Sequence, residues 1–223
     1  MITDLLTNGL SMDLIVNLCA RVFVIFCVLP IHEFAHAFVA YKLGDQTARL
    51  QGRLTTNPLA HIDPMGALLI ILVGFGYAKP VPVNMRNFKN KKGGMALTAL
   101  AGPVSNLIVA FIFMIGYCLV YKFTNYQVEG TAYFIALFLS YAISINISLA
   151  VFNMIPVPPL DGSRILTAIL PNKYYYKIMR YERQLVMIVF VLIILGVLDA
   201  PIYWATNHVY NGLLSVARAI TGV

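Results

Sequence analysis

Five consecutive residues of one apolar stretch have the types and spacing of a metal-dependent hydrolytic site. His32 and His36 are four residues apart, so on a helix both imidazoles project from one face and can reach a single ion. Zinc binds histidine nitrogen well, and a glutamate between two such ligands, here Glu33, can act as a general base toward water. This H-E-x-x-H pattern predicts zinc chemistry, although the pentapeptide alone also arises by chance.

A catalytic zinc site needs a third protein ligand and one open position. Asp161 is the strongest candidate among the nine acidic residues, because it follows a proline-rich break after an apolar run. Irregular backbone at membrane depth must line a cavity or be buried in protein. Asp63 is a second candidate, and the alternative role for Asp161 is to cap a helix that begins near Ser163.

The composition places the H-E-x-x-H motif inside a membrane protein. Hydrophobic residues make up 60% of the 223 residues and charged residues only 11%, against about 25% charged in a typical soluble domain. The motif lies in the apolar run from Leu14 to Tyr41, and Lys42 marks its edge. At the rise of an α-helix, His36 lies roughly 9 Å and His32 roughly 15 Å from that edge. Ionisable residues at such depth usually have a function; the alternative is a polar contact between helices.

The apolar runs predict an all-α polytopic membrane protein with about four transmembrane helices, a re-entrant element and short membrane-associated β segments. A run at 65–77 is too short to span and is expected to be re-entrant, whereas the alternating residues 48–55 could form a strand. We expect one domain over residues 1–223, with a core at about 14–170. The four predicted spans are 14–41, 95–121, 132–155 and 185–197.

The formal net charge of +7 is interpreted as membrane orientation rather than nucleic-acid binding. Basic residues prefer the cytoplasmic side of a membrane. An external N-terminus and a re-entrant second run would place 13 of the 16 lysine and arginine residues on that side. We therefore expect a multi-pass cell-membrane protein that has no nucleic-acid partner.

Three motifs occur together in this chain. The first is His32-Glu33-Phe34-Ala35-His36, the second is Gly102-Pro103-Val104-Ser105-Asn106, and the third is Asn153-x-x-Pro156-x-Pro158-x-Leu160-Asp161-Gly162. Their combination and order resemble the site-2 protease family of intramembrane zinc metalloproteases. The resemblance covers residues 32 to 162.

The resemblance implies a role for each matching residue. His32, His36 and Asp161 would bind one Zn²⁺ per chain, and Glu33 would be the catalytic base. Asn153 would hold the substrate or polarise its carbonyl, with a helix–helix hydrogen bond as the alternative. The remaining two assignments are less specific: Asn106 for catalysis or packing, and His61 for an oxyanion donor or a locally satisfied loop residue.

The same resemblance implies an activity and partners. The protein would hydrolyse peptide bonds in or near transmembrane segments of single-pass membrane proteins, as in regulated intramembrane proteolysis, from an active site that opens to the cytoplasm. We expect neither the PDZ domain nor the CBS domains that many members carry, since 223 residues leave no room beside the membrane core. Selectivity would then come from the membrane core, from the extended segment Lys79–Asn84 by strand addition, or from a separate regulatory partner.

Two other classes of protein use similar ligands. A zinc-binding membrane scaffold or ion carrier would need no base beside its first ligand, so Glu33 argues against it. A membrane-embedded hydrolase of lipids shares the zinc chemistry, but the extended segment at 79–84 favours a peptide substrate.

Overall fold

The computed structural model of the protein describes residues 11–72, 77–171 and 180–223, and these residues form helices without a strand. The first helix, α1, continues through a π-helical segment into α2, and three short helices and a 3-10 turn precede the longest helix, α6. The bounds are α1 Met12–Phe23, the π segment Val24–Val28, α2 Leu29–Lys42, α3 Thr47–Leu50, α4 Pro58–His61, α5 Pro64–Leu72, the 3-10 turn Met85–Asn87, α6 Lys91–Phe123, α7 Gly130–Asn153, α8 Asp161–Ile169, α9 Glu182–Ile194 and α10 Asp199–Thr221.

Three helical stretches of the described chain are long and apolar enough to cross a membrane. They are Met12–Lys42 with 31 residues, Lys91–Phe123 with 33 and Gly130–Asn153 with 24. A fourth span was expected at 185–197, but this region forms α9, which has 13 residues. A helix needs about 20 residues to cross the hydrocarbon core, so α9 is too short and the fourth span is not confirmed.

Large apolar side chains cover the outside of the helical bundle. In a soluble protein, apolar surface of this extent would be a liability for aggregation, whereas lipid solvates it at no cost. On α1 and α6 the large exposed apolar residues are Met12, Ile15, Leu18, Val22, Leu97, Val104, Ile108, Ile112 and Phe123.

The π-helical segment keeps the first long helix continuous despite Pro30. Proline has no N–H to donate, and its ring crowds the carbonyl four residues earlier. Just before it the ladder widens to five-residue spacing, and the N–H of Leu29 donates to the carbonyl of Val24. Val24 and Val28 are buried against Ile70 and Leu149, so the distorted segment is part of the core.

The residues on either side of the second apolar run lie close together. The N–H of Lys79 donates to the carbonyl of His61 at 2.7 Å, and Ile70 within the run is buried in the core. Helix α5 has nine residues, about 13 Å at the usual rise. At its far end the guanidinium of Arg21 donates to the carbonyls of Ile70 at 2.8 Å and Ile71 at 3.3 Å. A cation is favourable at a helix C-terminus, so Arg21 stabilises the C-terminal end of α5.

Residues 48–55 do not form the expected strand. The Asp45 carboxylate accepts a hydrogen bond from the N–H of Thr47 at 3.0 Å, and this starts the single helical turn of α3. Gly52 ends the turn with a φ of +68°, which glycine adopts without steric cost. The alternating apolar and polar residues at 48–55 therefore belong to a capped turn and not to a β-strand.

Helix α10 lies against α6 and α7 rather than at the periphery. Ala217 is fully buried in a cluster with Met114, Cys118 and Ile143. The ammonium of Lys122, at the end of α6, donates to the carbonyl of Thr221. The C-terminal ends of α6 and α10 therefore lie side by side.

Asp45 follows the C-terminal end of α2, and its side chain holds the loop 84–87 against that end. Its carboxylate accepts hydrogen bonds from the N–H of Asn84 at 2.7 Å, from the side-chain amide of Asn87 at 2.7 Å, and from Thr47. Burial raises the pKa of Asp45, but the hydrogen bonds from Thr47, Asn84 and Asn87 together hold that pKa below its usual range. The ionised carboxylate is thus the form that the fold stabilises.

We expect Asp45→Asn to lower the free energy of unfolding by about 1–3 kcal/mol, because buried donors lose a charged acceptor. The folded-state pKa is lower than the unfolded value of about 3.9, so this stabilisation is present at neutral pH and is lost as the pH falls below about 4. Thermal unfolding of parent and variant between pH 7 and pH 3 checks this. Glu129→Gln, at an exposed site, is the control, and a constant difference across the pH range would contradict the prediction.

Candidate metal centre

Three predicted ligands converge between α2 and α8. The Nε2 atoms of His32 and His36 lie 3.0 Å apart, and Oδ2 of Asp161 lies 3.4 Å from the first and 3.2 Å from the second. All three residues are at most 9% exposed. Residues distant in sequence thus present one compact set of ligand atoms.

This set fits a zinc ion in number, type and spacing. Two ligand atoms of a tetrahedral zinc at its usual bond lengths are about 3.3 Å apart, close to the three observed separations. Two imidazole nitrogens and a carboxylate oxygen this close together and away from water would repel one another without a cation or a proton between them. Three ligands also leave a fourth position for a reactant, as in catalytic sites.

The backbone of α6 orients His36. Its Nδ1 lies 2.7 Å from the carbonyl oxygen of Thr98, so Nδ1 carries the proton and Nε2 offers its lone pair to the ion. A hydrogen bond of this kind fixes the tautomer and the ring orientation of a metal ligand. Gly102 lies directly against both imidazoles, and a Cβ there would collide with the rings of His36 and His32.

A proline-rich break brings Asp161 to the histidines. Helix α7 ends at Asn153, and Pro156 cannot continue it. The chain then turns so tightly that a Cβ on Gly162 would collide with the carbonyl of Met154. Asp161 begins α8 with its carboxylate facing the imidazoles.

Asp63, the second ligand candidate, caps α5. Its Oδ1 accepts hydrogen bonds from the N–H groups of Met65 and Gly66, both at 3.0 Å. A side chain used in this way at a helix N-terminus is a capping residue. The described His, Cys, Asp and Glu side chains form one candidate metal cluster, which Asp63 does not join.

The structure places Glu33 beside the ligands, where it is 8% exposed. Its Oε2 accepts a hydrogen bond from the backbone N–H of Val81 at 3.0 Å. Val81 belongs to the extended segment Lys79–Asn84, which therefore lies against the centre.

The other three predicted site residues have different surroundings. His61 is fully buried, with Nε2 2.7 Å from the carbonyl of Thr55 and Nδ1 3.4 Å from the guanidinium of Arg53. Asn106 is fully buried, and neither polar atom of its side chain has a hydrogen-bond partner in the described ranges. Asn153 is half-buried at the end of α7. Their catalytic roles remain predictions.

Two contributors to the centre were not foreseen from the sequence. Thr98 and Val81 act through a backbone carbonyl and a backbone N–H, which every residue except proline possesses. The prolines on both sides of Val81 offered one signal, because they leave a single N–H between them.

Comparison with known proteins identifies the family. A family model described as peptidase family M50 matches residues 125–197. "Putative zinc metalloprotease YwhC" of Bacillus subtilis (strain 168) is 42% identical over 193 residues, which cover 85% of this chain and 86% of YwhC. The chain belongs to peptidase family M50, the site-2 protease family.

More distant relatives carry similar names. "Putative zinc metalloprotease Rip2" of Mycolicibacterium smegmatis is 30% identical over 141 residues, 60% of this chain and 51% of Rip2. "Zinc metalloprotease MJ0392" of Methanocaldococcus jannaschii is 28% identical over 153 residues, 68% of this chain and 34% of that protein. No solved structure matches the chain significantly.

The expectation of a site-2 protease is confirmed. The protein is a zinc metalloprotease of the M50 family, and its apolar helices make it a multi-pass membrane protein. The ligand set fits the zinc that the family name implies.

We expect Gly102→Ala in this protease to lower zinc content and activity together, because the added methyl displaces both imidazoles. Gly116→Ala in the same helix is the matched control, since its Cβ would lie 3.7 Å from Leu139, an ordinary contact. Zinc per chain, measured on both purified variants by elemental analysis, checks this. Full zinc occupancy in Gly102→Ala would contradict the geometry.

Proposed function

We propose that His32, His36 and Asp161 hold one zinc ion and that Glu33 is the general base for peptide-bond hydrolysis within the membrane. The observation that carries this proposal is the convergence of the three ligand atoms within 4.8 Å of one another, with Glu33 adjacent. A carrier or scaffold has no use for a carboxylate held beside the ligands.

The proposed reaction assigns one task to each side chain. Bound zinc supplies a Lewis acid that acidifies water and polarises a peptide carbonyl. Glu33 accepts the proton from the attacking water and later passes it to the leaving amine. Asn153 is our candidate for a donor to the developing oxyanion, since His61 is already engaged with Thr55 and Arg53.

We propose single-pass transmembrane proteins as substrates, cleaved in regulated intramembrane proteolysis. A helical substrate hides its amides and must unwind locally before hydrolysis. The extended segment Lys79–Asn84 lies beside Glu33 and could pair with an unwound strand. Pro80 and Pro82 have no N–H, so this segment would accept hydrogen bonds at their carbonyls, and the substrate would donate them.

Replacement of single residues tests the proposed catalytic centre. We expect Glu33→Gln to retain zinc but to lose at least a hundredfold in kcat, about the contribution of a general base. Asp161→Ala should instead weaken zinc binding, because one of three protein ligands is lost. Zinc content and cleavage of a panel of single-pass membrane segments are measured in liposomes, with Glu129→Gln as the control.

Three results would contradict the proposal. If the parent binds zinc but cleaves no segment, the proposed protease role is wrong. If Asp161→Ala binds zinc as the parent does, Asp161 is not a ligand. Equal activity of Glu33→Gln and the parent would exclude Glu33 as the base.

We also propose that the centre opens to the cytoplasm. The stretch from the last residue of α2 to the first turn of α6 carries eight basic residues, which favour that side of the membrane. They are Lys42, Arg49, Arg53, Lys79, Arg86, Lys89, Lys91 and Lys92.

Cysteine accessibility tests this orientation. In a background without Cys19, Cys27 and Cys118, we expect Lys79→Cys to react with an impermeant maleimide only in inverted vesicles. Glu129→Cys, in the exposed connection between α6 and α7, should react only in intact cells. The reverse pattern would overturn the orientation.

A further inference from the structure

A backbone amide from a distant part of the chain contacts the proposed base. The N–H of Val81 donates to Oε2 of Glu33 at 3.0 Å, across 48 residues of sequence. Both residues are buried, at 5% and 8% exposure. A hydrogen bond to an ionised group in surroundings shielded from water is among the stronger contacts of a protein.

We propose that the N–H of Val81 is the positioning donor that holds the Glu33 carboxylate in its catalytic orientation. This inference rests on the proposed role of Glu33 as the base. A glutamate side chain has three rotatable bonds and no intrinsic preference for the one orientation that meets a reactant. Fixing Oε2 leaves the second oxygen, which receives no hydrogen bond from the described residues, as the atom that would accept the proton.

The donor is rigid because its segment is fastened at both ends. At one end the N–H of Lys79 donates to the His61 carbonyl at 2.7 Å, and Arg53 donates to the Lys79 carbonyl. At the other end the N–H of Asn84 donates to Asp45 at 2.7 Å. A donor held in this way loses little entropy when it binds the carboxylate.

The side chain of Val81 sets the register of the segment. It packs in a small apolar cluster with Ala37 and Ala48. Ala37 is one helical turn after Glu33, so both residues lie on the same face of α2. The packing of the Val81 side chain therefore places its N–H opposite the carboxylate.

Pro80 and Pro82 make the arrangement specific. Each fixes its own φ near −65° and favours an extended conformation for the residue before it. Neither has an N–H that could compete for Glu33. A shift by one residue in either direction would bring a proline opposite the carboxylate and leave it without a donor.

An amide-to-ester replacement removes this single N–H while keeping the side chain, and it also weakens the Pro80 carbonyl as a hydrogen-bond acceptor. Val81 is replaced by the α-hydroxy acid with the valine side chain through nonsense suppression in the full chain. We expect kcat for a cleaved membrane segment to fall by about ten- to a hundredfold, the range for a hydrogen bond to a charged group. Zinc content should stay within about twofold of the parent.

A second ester separates the N–H from other effects of the replacement. The same ester at Val83, whose N–H makes no hydrogen bond in the described ranges, weakens the Pro82 carbonyl in the same way but leaves the contact to Glu33 intact. The kcat of the Val81 ester should therefore be at least tenfold below that of the Val83 ester, whereas their KM values should agree within about twofold. An unchanged kcat in the Val81 ester, or an equal loss in the Val83 ester, would overturn the inference. A higher kcat in the Val81 ester would also overturn it, since the contact would then be inhibitory.

Infrared difference spectra measure the contact without turnover. The carboxylate stretch assigned to Glu33, by its absence in Glu33→Gln, should shift in the Val81 ester and not in the Val83 ester. An unshifted band overturns the inference even in a chain that cleaves no segment. If the parent cleaves segments but the Glu33 band is unshifted in the Val81 ester, the proposed function stands and only the role of Val81 is wrong.

Discussion

The structure depends on one constraint, which is that polar groups inside an apolar bundle must find their partners within the protein. Lipid offers no hydrogen bonds, and an unpaired buried polar group costs several kcal/mol. The long helices pair their own backbone N–H and C=O groups. Irregular segments and charged side chains need other partners. Arg21 finds its partners in the C-terminal carbonyls of α5, and Asp45 accepts hydrogen bonds from the loop 84–87.

The metal centre meets the same constraint with backbone groups. The carbonyl of Thr98 fixes one imidazole, and the N–H of Val81 binds the carboxylate of Glu33. Backbone groups are already held by helix or extended segment, so they order a side chain without adding a flexible partner. Gly102 is needed for the same reason, because the helix backbone reaches the imidazoles only where no Cβ intervenes.

The centre was more predictable from the sequence than the fold around it. The spacing of His32 and His36 follows from helical periodicity, and the break before Asp161 follows from proline chemistry; the structure brings all three together. Residues 48–55 were misread because a period of two also arises in a capped turn. The apolar run at 185–197 suggested a span, but a helix of 13 residues forms there, and hydropathy alone does not locate helix ends.

Contacts made by backbone atoms set the limit of sequence reasoning in this chain. Glu33 and Val81 are 48 residues apart, and neither the valine nor its N–H has a chemical signature. The sequence does show which neighbouring residues cannot donate, because Pro80 and Pro82 have no N–H and leave that of Val81 between them. Two prolines that flank one residue can therefore indicate a backbone N–H with a specific partner. The prolines cannot donate, so any hydrogen bond donated by the backbone there must come from the residue between them.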